Sequence, residues 1–519
     1  MSAPIDGQWR RLAGGMLLIQ PIRELLRFVP LLLVLLVVGR STSRPPWEFA
    51  VAGLVILYGI GRFVSTRWRV TADAVEVRHG VFGRRVLTAP RERIRSIDIS
   101  AHPLQRLLGL VRVRIGTGTS GPAARGVELD GVSRATAETL RAVLLHHRDA
   151  DDGSADTSPP ADRGRVLAAF RPRWLLYGPA TLSGVVTAAA VLALGLRLLS
   201  EAQVRPTEVG PIAAVLRHLS ALDWWAIGLQ VLLAVLIVTT LLSLAGYCLS
   251  YWGFRLVRHA DSSDVGGDGS ALQTSRGLLA TRSTTIAEHR LHGIERIEPL
   301  LLRAVRGARL TAVATGLQDG RNASRGADVL LPPVPRDAVL DIERQVLAEP
   351  AIDPVTVTLT PRGPAARRRR YVRALAGVVA LAAAAGLLWW RHLVPGWVPV
   401  ATLALVLPAL LLARDRFAAL GHAVLPARHP RSDGRVLVSR LGSLVRRRVT
   451  LRRSGVIGAV WRSSPFQRRA GLVTLTITTA AGTQRYHLPD LDDRVALEVA
   501  ADLVPAVAAF RSTETGSTR

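Results

Sequence analysis

A chain of 519 residues, 49% hydrophobic and with a formal net charge of +28, is too long for one compact core and asks for roughly three or four domains. All the basic charge is arginine, and the few aromatic residues do not alternate with it, so the stacking platforms of a single-strand nucleic-acid binder are missing and an anionic membrane surface is the polyanion that fits. A single cysteine, Cys248, excludes a disulfide framework and a multi-cysteine metal site.

Residues 1–24 are basic. Apolar runs at 25–39 and 47–64 follow, each near the lower length limit for a membrane span, and together they predict a transmembrane hairpin over 25–64. The second run and the lack of a small-residue cleavage site argue against a twin-arginine export signal. Residues 65–148 form the first soluble module, with strands expected at 69–78, 85–89, 94–100, 111–117 and 127–129. A helix over 133–147, with Ser133 as its N-cap, closes it. An acidic linker occupies 149–170, and its 149–162 stretch is expected to be disordered. Spans at 174–199 and 224–251 give a second hairpin over 171–250. A second module fills 251–349 and closes on a helix at 335–349. After a basic linker, 350–370, spans at 371–390 and 393–413 give a third hairpin over 371–413. A third module fills 414–508, closing on a helix at 491–504, and a disordered tail is expected at 509–519.

Arginines cluster at the outer ends of the hairpins and just beyond them, at Arg62, Arg67 and Arg69, at Arg163, Arg165, Arg171 and Arg173, at Arg255 and Arg258, at Arg367–Arg370 and Arg373, and at Arg414 and Arg416. The positive-inside rule then places both termini and all three modules in the cytoplasm. Trp47, Trp174, Trp224, Trp225, Trp389, Trp390 and Trp397 fall near span ends, where interfacial aromatics are expected.

The modules repeat. HPLQRLLGLVRVRI at 102–115 and SPFQRRAGLVTLTI at 464–477 share a Gln-Arg pair, a Gly three residues on, and an alternating run; LLRAVRGARLTAV at 301–313 is a weaker copy, with Arg303-Ala304 in place of Gln-Arg. Gly80, Gly277 and Gly442 precede Gly109, Gly307 and Gly471 by about 29, 30 and 29 residues. The upstream glycines suit hairpin turns, and the downstream ones suit a tight turn that sets the register of the next strand. Paired spans flanking a β-rich module with this turn Gly, this PLQRLLGL-type stretch and a closing helix resemble the bacterial membrane-flanked pleckstrin-homology-like (PH-like) domain family, here in three copies. The resemblance implies a mixed membrane α-helical and β-rich protein. Each of its three transmembrane hairpins is followed by a cytoplasmic PH-like β-sandwich or partial barrel with a C-terminal helix. It implies no catalytic residues.

Several apparent sites fail on context. The GxGxxG at 116–121 follows a strand but leads into Pro122 rather than a helix, so a strand-connecting loop is expected. His289 and His292 lie beside Arg290 and Arg296, which oppose a cation. Cys248 sits in an apolar span as a small hydrophobe. Glu48, Arg197, Asp223 and Arg373 all lie at span ends, which argues against a proton-coupled carrier.

The expectation is a non-enzymatic protein of the bacterial plasma membrane without a cofactor, a membrane-proximal scaffold for protein or anionic-lipid binding. Its partners are membrane lipids and an unknown membrane protein or a second copy, not nucleic acid. Candidate interaction residues are Gln105, Arg106, Gln467 and Arg468, with internal hydrogen bonding in the module as the alternative role. Arg367, Arg368, Arg369 and Arg370 are candidate lipid contacts, and Arg84, Arg85, Arg446, Arg447 and Arg448 are placed by the turn glycines to reach headgroups. A transport role for lipids or amphipathic peptides through a six-span bundle is the alternative function.

Overall fold

A computed structural model describes residues 7–16, 65–79, 85–116, 127–145, 164–201, 214, 218, 222–259, 270–315, 328–347, 353–426 and 435–507, except 12, 72, 91–93, 95, 182, 354 and 505. Both expected spans of the first hairpin, the 149–162 linker, most of the GxGxxG loop, the turn at Gly80 and the 509–519 tail lie outside these residues. The chain forms two compact units, Met1–Glu288 with Asp319–Ala327, and His289–Gln318 with Asp328–Arg519. Their boundary falls inside the second repeat.

In the first unit β1 (Arg10–Arg11), β2 (Arg67–Val70), β3 (Ala74–His79) and β4 (Arg85–Pro90) make an antiparallel sheet in that order. The single strand expected at 69–78 is in fact a hairpin. The Thr71 hydroxyl accepts from Ala74 N at 3.1 Å and donates to Ala74 O at 3.0 Å, a local turn that competes with continued extension. A second layer holds β5 (Ser96–Ala101), a short helix α1 (Pro103–Leu107), β6 (Leu110–Gly116), β7 (Val127–Ser133) and the closing helix α2 (Arg134–Leu145). Ser133 caps α2 as expected, its hydroxyl accepting from Thr136 N at 3.2 Å. Trp68, Val75, Ile97, Val113, Leu129 and Leu140 meet in one core, each burial worth about 1.5–3 kcal/mol.

The first unit continues with β8 (Arg165–Ala169), a 3-10 turn at Pro172–Tyr177, α3 (Ser183–Glu201), α4 (Trp224–Tyr251), β9 (Arg255–His259), β10 (Ala271–Arg276) and β11 (Thr281–Ala287). The second unit begins with β12 (Leu291–Pro299), α5 (Leu300–Ala304), β13 (Gly307–Ala314), β14 (Val329–Pro335) and α6 (Arg336–Val346). Then come α7 (Pro364–Trp390), α8 (Trp397–Leu403), α9 (Val406–Ala418), β15 (Gly421–Leu425), β16 (Val436–Leu441) and β17 (Val445–Arg452). The last repeat ends with β18 (Val456–Arg462), α10 (Pro465–Arg468), β19 (Leu472–Thr479), β20 (Arg485–Asp492) and α11 (Asp493–Leu503).

Among the described residues, three helical segments are long and apolar enough to cross a membrane, α4, α7 and the α8–α9 stretch, or four if the bent pair Pro172–Thr181 and Val185–Leu194 acts as one. On α4, Leu232, Val235, Leu236 and Ile237 are all exposed. A helix apolar all round with almost nothing packed against it needs lipid to cover it. Trp224, Trp225, Trp389, Trp390 and Trp397 are exposed, as interfacial aromatics would be. Trp174 is the exception: it is buried against Phe170 and Phe254, with ring centroids 6.3 and 6.2 Å away.

The sheets do not respect the repeats. One seven-stranded sheet runs β7-β6-β5-β11-β10-β9-β8, and one six-stranded sheet runs β14-β13-β12-β17-β16-β15, so each is spliced from two consecutive repeats. The splice is the same both times. Thr281, four residues after Gly277, faces Ala101, and Arg446, four residues after Gly442, faces Glu298. Gly277 and Gly442 carry φ of 110° and 95°, and a Cβ on either would lie 2.0 Å from a carbonyl oxygen, that of Ala280 or Val445. Only glycine closes that turn.

One correction to the repeat follows from backbone angles. Gly109 and Gly471 have φ of 66° and 62°, but the left-handed position in the second repeat is Arg306, at φ 53°, rather than Gly307. Aligned on Arg306, the spacing from the turn glycine is the same in all three repeats, and Leu302-Arg303 takes the place of Gln-Arg. The arginine is therefore present in every copy; the glutamine is what changes.

Candidate functional site

The Gln-Arg pairs divide by direction. Gln105 and Gln467 are buried and face inward. Each side-chain oxygen accepts from the N-cap backbone of its short helix at 3.1 Å, from His102 N or Ser464 N. Each amide also donates to an acidic side chain just ahead of the closing helix, Gln105 to Asp130 at 2.7 Å and Gln467 to Asp490 at 3.0 Å. In the second repeat Leu302 is fully buried and prolines stand where the acid would be, so amide and acid disappear together. The arginines face outward. Arg106 Nη1 donates to Leu278 O at 2.5 Å, and Arg303 Nη1 reaches Ser443 O at 3.5 Å, in each case the carbonyl directly after the turn glycine of the following repeat. Arg468 is exposed and makes no such contact among the described residues.

A carboxylate clasp reinforces each splice. Arg282 pairs with Asp98, its Nε 3.1 Å from Oδ1, and Arg447 Nη1 lies 3.1 Å from Glu295 Oε1. Both pairs link equivalent positions across the two strands. Sequence reasoning missed Asp98 and Glu295, because nothing local marks an acid in a strand as a cross-strand partner.

The four-arginine run at the start of α7 is also split. Positive charge in the first turns of a helix opposes the macrodipole. Asp490, its side chain fully buried, offsets this by pairing with Arg369 and Arg370, the latter through Nε at 2.7 Å. Arg367 and Arg368 remain exposed and make no ion pair among the described residues. At the other end of this hairpin Arg440 donates to Ala419 O at 3.1 Å and Ala418 O at 2.9 Å, capping the last carbonyls of α9, and Arg446 pairs with Asp415 at 3.0 Å. A cleft of about 330 Å³ lies between, lined by Arg370, Arg416, Leu420, Gly442, Ser443 and Pro489. Of the arginines after Gly442, Arg446 is held by a carboxylate and Arg448 is buried, while Arg447 pairs with Glu295 and keeps its side chain 43% exposed.

Leading into α7, Arg362 Nη1 lies 2.5 Å from Nδ1 of His422, whose backbone pairs with Thr360. Burial first, and Arg362 second, push the His422 imidazole down to about 4. The native state therefore binds fewer protons than the unfolded chain. The stabilisation is fully present above the ordinary histidine value of 6.5 and is lost as pH falls through about 4. The loss amounts to about 3 kcal/mol. His422→Gln is expected to remove this slope, read as the difference in unfolding free energy between wild type and variant at neutral pH and near pH ~4.5.

Two regions of the chain, 20–148 and 370–506, match the family model for the bacterial PH domain, together slightly more than half of its length. The chain belongs to the bacterial PH domain family. The two matched PH regions are the repeats that keep the glutamine–aspartate bond and the left-handed glycine. The unmatched middle repeat keeps the hairpin register and loses both. The chain is similar to the UPF0699 transmembrane protein YdbT of Bacillus subtilis (strain 168), 23% identical over 332 residues. That alignment covers 61% of this chain and 63% of YdbT, so the chain spans less than two thirds of this relative. No solved structure matches the chain.

Proposed function

We propose that this bacterial PH protein is a non-enzymatic integral membrane scaffold, held by three two-span hairpins with its modules and termini on the cytoplasmic side of the bacterial plasma membrane, where it engages anionic lipid and protein. The observation that carries the lipid contact is the division of the α7 run: Asp490 takes Arg369 and Arg370, while Arg367 and Arg368 stay exposed at the foot of an apolar helix. Arginines near an anionic leaflet each contribute about 1 kcal/mol. Arg416, lining the neighbouring cleft, adds to the same basic foot. Arginine asymmetry about the hairpins supports the orientation.

The test is the full-length protein in nanodiscs of mixed phosphatidylglycerol and phosphatidylcholine, with the lipids nearest the protein quantified. Replacing Arg367 and Arg368 together by Gln is expected to lower the preference for the anionic lipid by about thirtyfold, the equivalent of ~2 kcal/mol. Thermal stability should not fall, because neither side chain holds the fold and both oppose the helix macrodipole. Unaltered lipid preference in the double variant would reject the lipid contact.

A further inference from the structure

We propose that the protein self-associates head to tail, edge strand β18 of one copy adding to edge strand β4 of a second copy in the register that the chain already uses twice within itself. This goes beyond the lipid contact and does not depend on it.

At both internal splices the strand before the short helix of one repeat pairs antiparallel with the strand after the turn glycine of the next. Two strands of these same kinds are left over. Among the described residues β4 pairs with β3 alone, and β18 with β19 alone. The β3–β4 hairpin has the register of the two receiving hairpins, since His79 faces Arg85 as Arg276 faces Arg282 and Leu441 faces Arg447. On the donating side, β18 leads into α10, where Arg468 holds the position from which Arg106 and Arg303 reach the neighbouring repeat.

Continuing the shared register sets Trp461 opposite Val86. Both are exposed, at 37% and 47%, and Ile457 and Val460 on the same strand are exposed at 67% and 45%. An apolar edge strand with unpaired backbone groups is a template for another strand, and the precedent within the chain identifies which strand fits. Because two different edges meet, the contact is heterologous and either closes into a ring or propagates. One internal feature is missing. Val460 stands where Asp98 and Glu295 supply the clasp carboxylate, and Arg462 falls opposite Arg85. The contact between copies is accordingly weaker than the splices within one, and exchangeable.

The test uses full chains carrying Cys248→Ser. One tagged copy carries Trp461→Cys, a differently tagged copy carries Val86→Cys, and both are oxidised together in native membranes. A disulfide joining the two tags is expected. Moving the second cysteine to Leu87 should cut the yield about tenfold, because a one-residue shift turns the side chain to the other face of the strand. Val460→Asp, which restores the clasp carboxylate, should raise the yield severalfold. The proposal is overturned by any of four results: no product joining the tags, equal yield from Leu87→Cys, a dominant product from Trp461→Cys copies alone, or capture only of foreign proteins.

Discussion

Replacing Asp490 with Ala is expected to destabilise the second unit by about 3–5 kcal/mol, because removing one partner of a buried ion pair leaves the other uncompensated. Asp490 is the meeting point of the third hairpin and the last module. Its side chain is fully buried, it pairs with both Arg369 and Arg370, and it accepts from Gln467 at 3.0 Å. Its backbone is left-handed, at φ 56°, a conformation that alanine adopts at a cost of about 1–2 kcal/mol while Asn and Asp adopt it more readily. Asp490→Asn therefore separates the two effects. It keeps the backbone and the bond to Gln467 but loses the charge, so it should fall between wild type and Ala. Thermal unfolding in detergent, followed by tryptophan fluorescence, reads the difference. A shift in the Ala variant no larger than that of an exposed substitution would mean that Arg369 and Arg370 are hydrated well enough to stand alone.

The β-rich repeats and the apolar helices among the described residues were legible because they are written in local patterns. Apolar runs, turn glycines and closing helices each follow from a handful of neighbouring residues, and α2, α6 and α11 lie where helical spacing put them. The splices were not legible. A strand edge is joined through backbone N–H and C=O groups, which every residue carries, so the sequence of β5 does not announce that its partner is β11 in the following repeat. The same blindness produced the one-residue error at Gly307. Glycine is only the usual occupant of a left-handed position, and Arg306 fills it here.

At the candidate site, residue type predicted less than surroundings. The Gln-Arg motif was visible, but one member faces the core because an acid waits there and the other faces out because the next repeat offers a carbonyl. Four consecutive arginines looked equivalent, and Asp490, distant in sequence, makes two of them structural. The signal that could have found this was the joint presence of Gln and Asp in the first and third repeats and the joint absence of both in the second.

The second large effect is expected at Arg296, where Arg296→Met should cost about 3–5 kcal/mol by stranding buried carboxylates. Arg296 is 3% exposed and lies directly opposite Arg448 across the β12–β17 splice. Two facing guanidinium groups are tolerable only because Glu343, 1% exposed, sits 2.8 Å from Arg296, with Glu298 a further 3.2 Å contact. The strain shows at Arg448, pushed down to about 10 by burial and then by Arg296. Burial raises the Glu343 carboxyl above its ordinary range, and Arg296 is the strongest influence opposing this. A carboxyl raised in the folded state binds protons more readily there than in the unfolded chain, so its contribution falls as pH rises through the folded value. Removing Arg296 extends that window upward. The deficit of Arg296→Met relative to wild type should therefore shrink as pH falls and Glu343 takes up a proton, and grow as pH rises. Adding Glu343→Leu should recover most of the loss, since replacing both members of a buried pair by apolar groups is often neutral or stabilising. A deficit that is independent of pH and unrelieved in the double variant would instead assign the role of Arg296 to packing of its aliphatic stem.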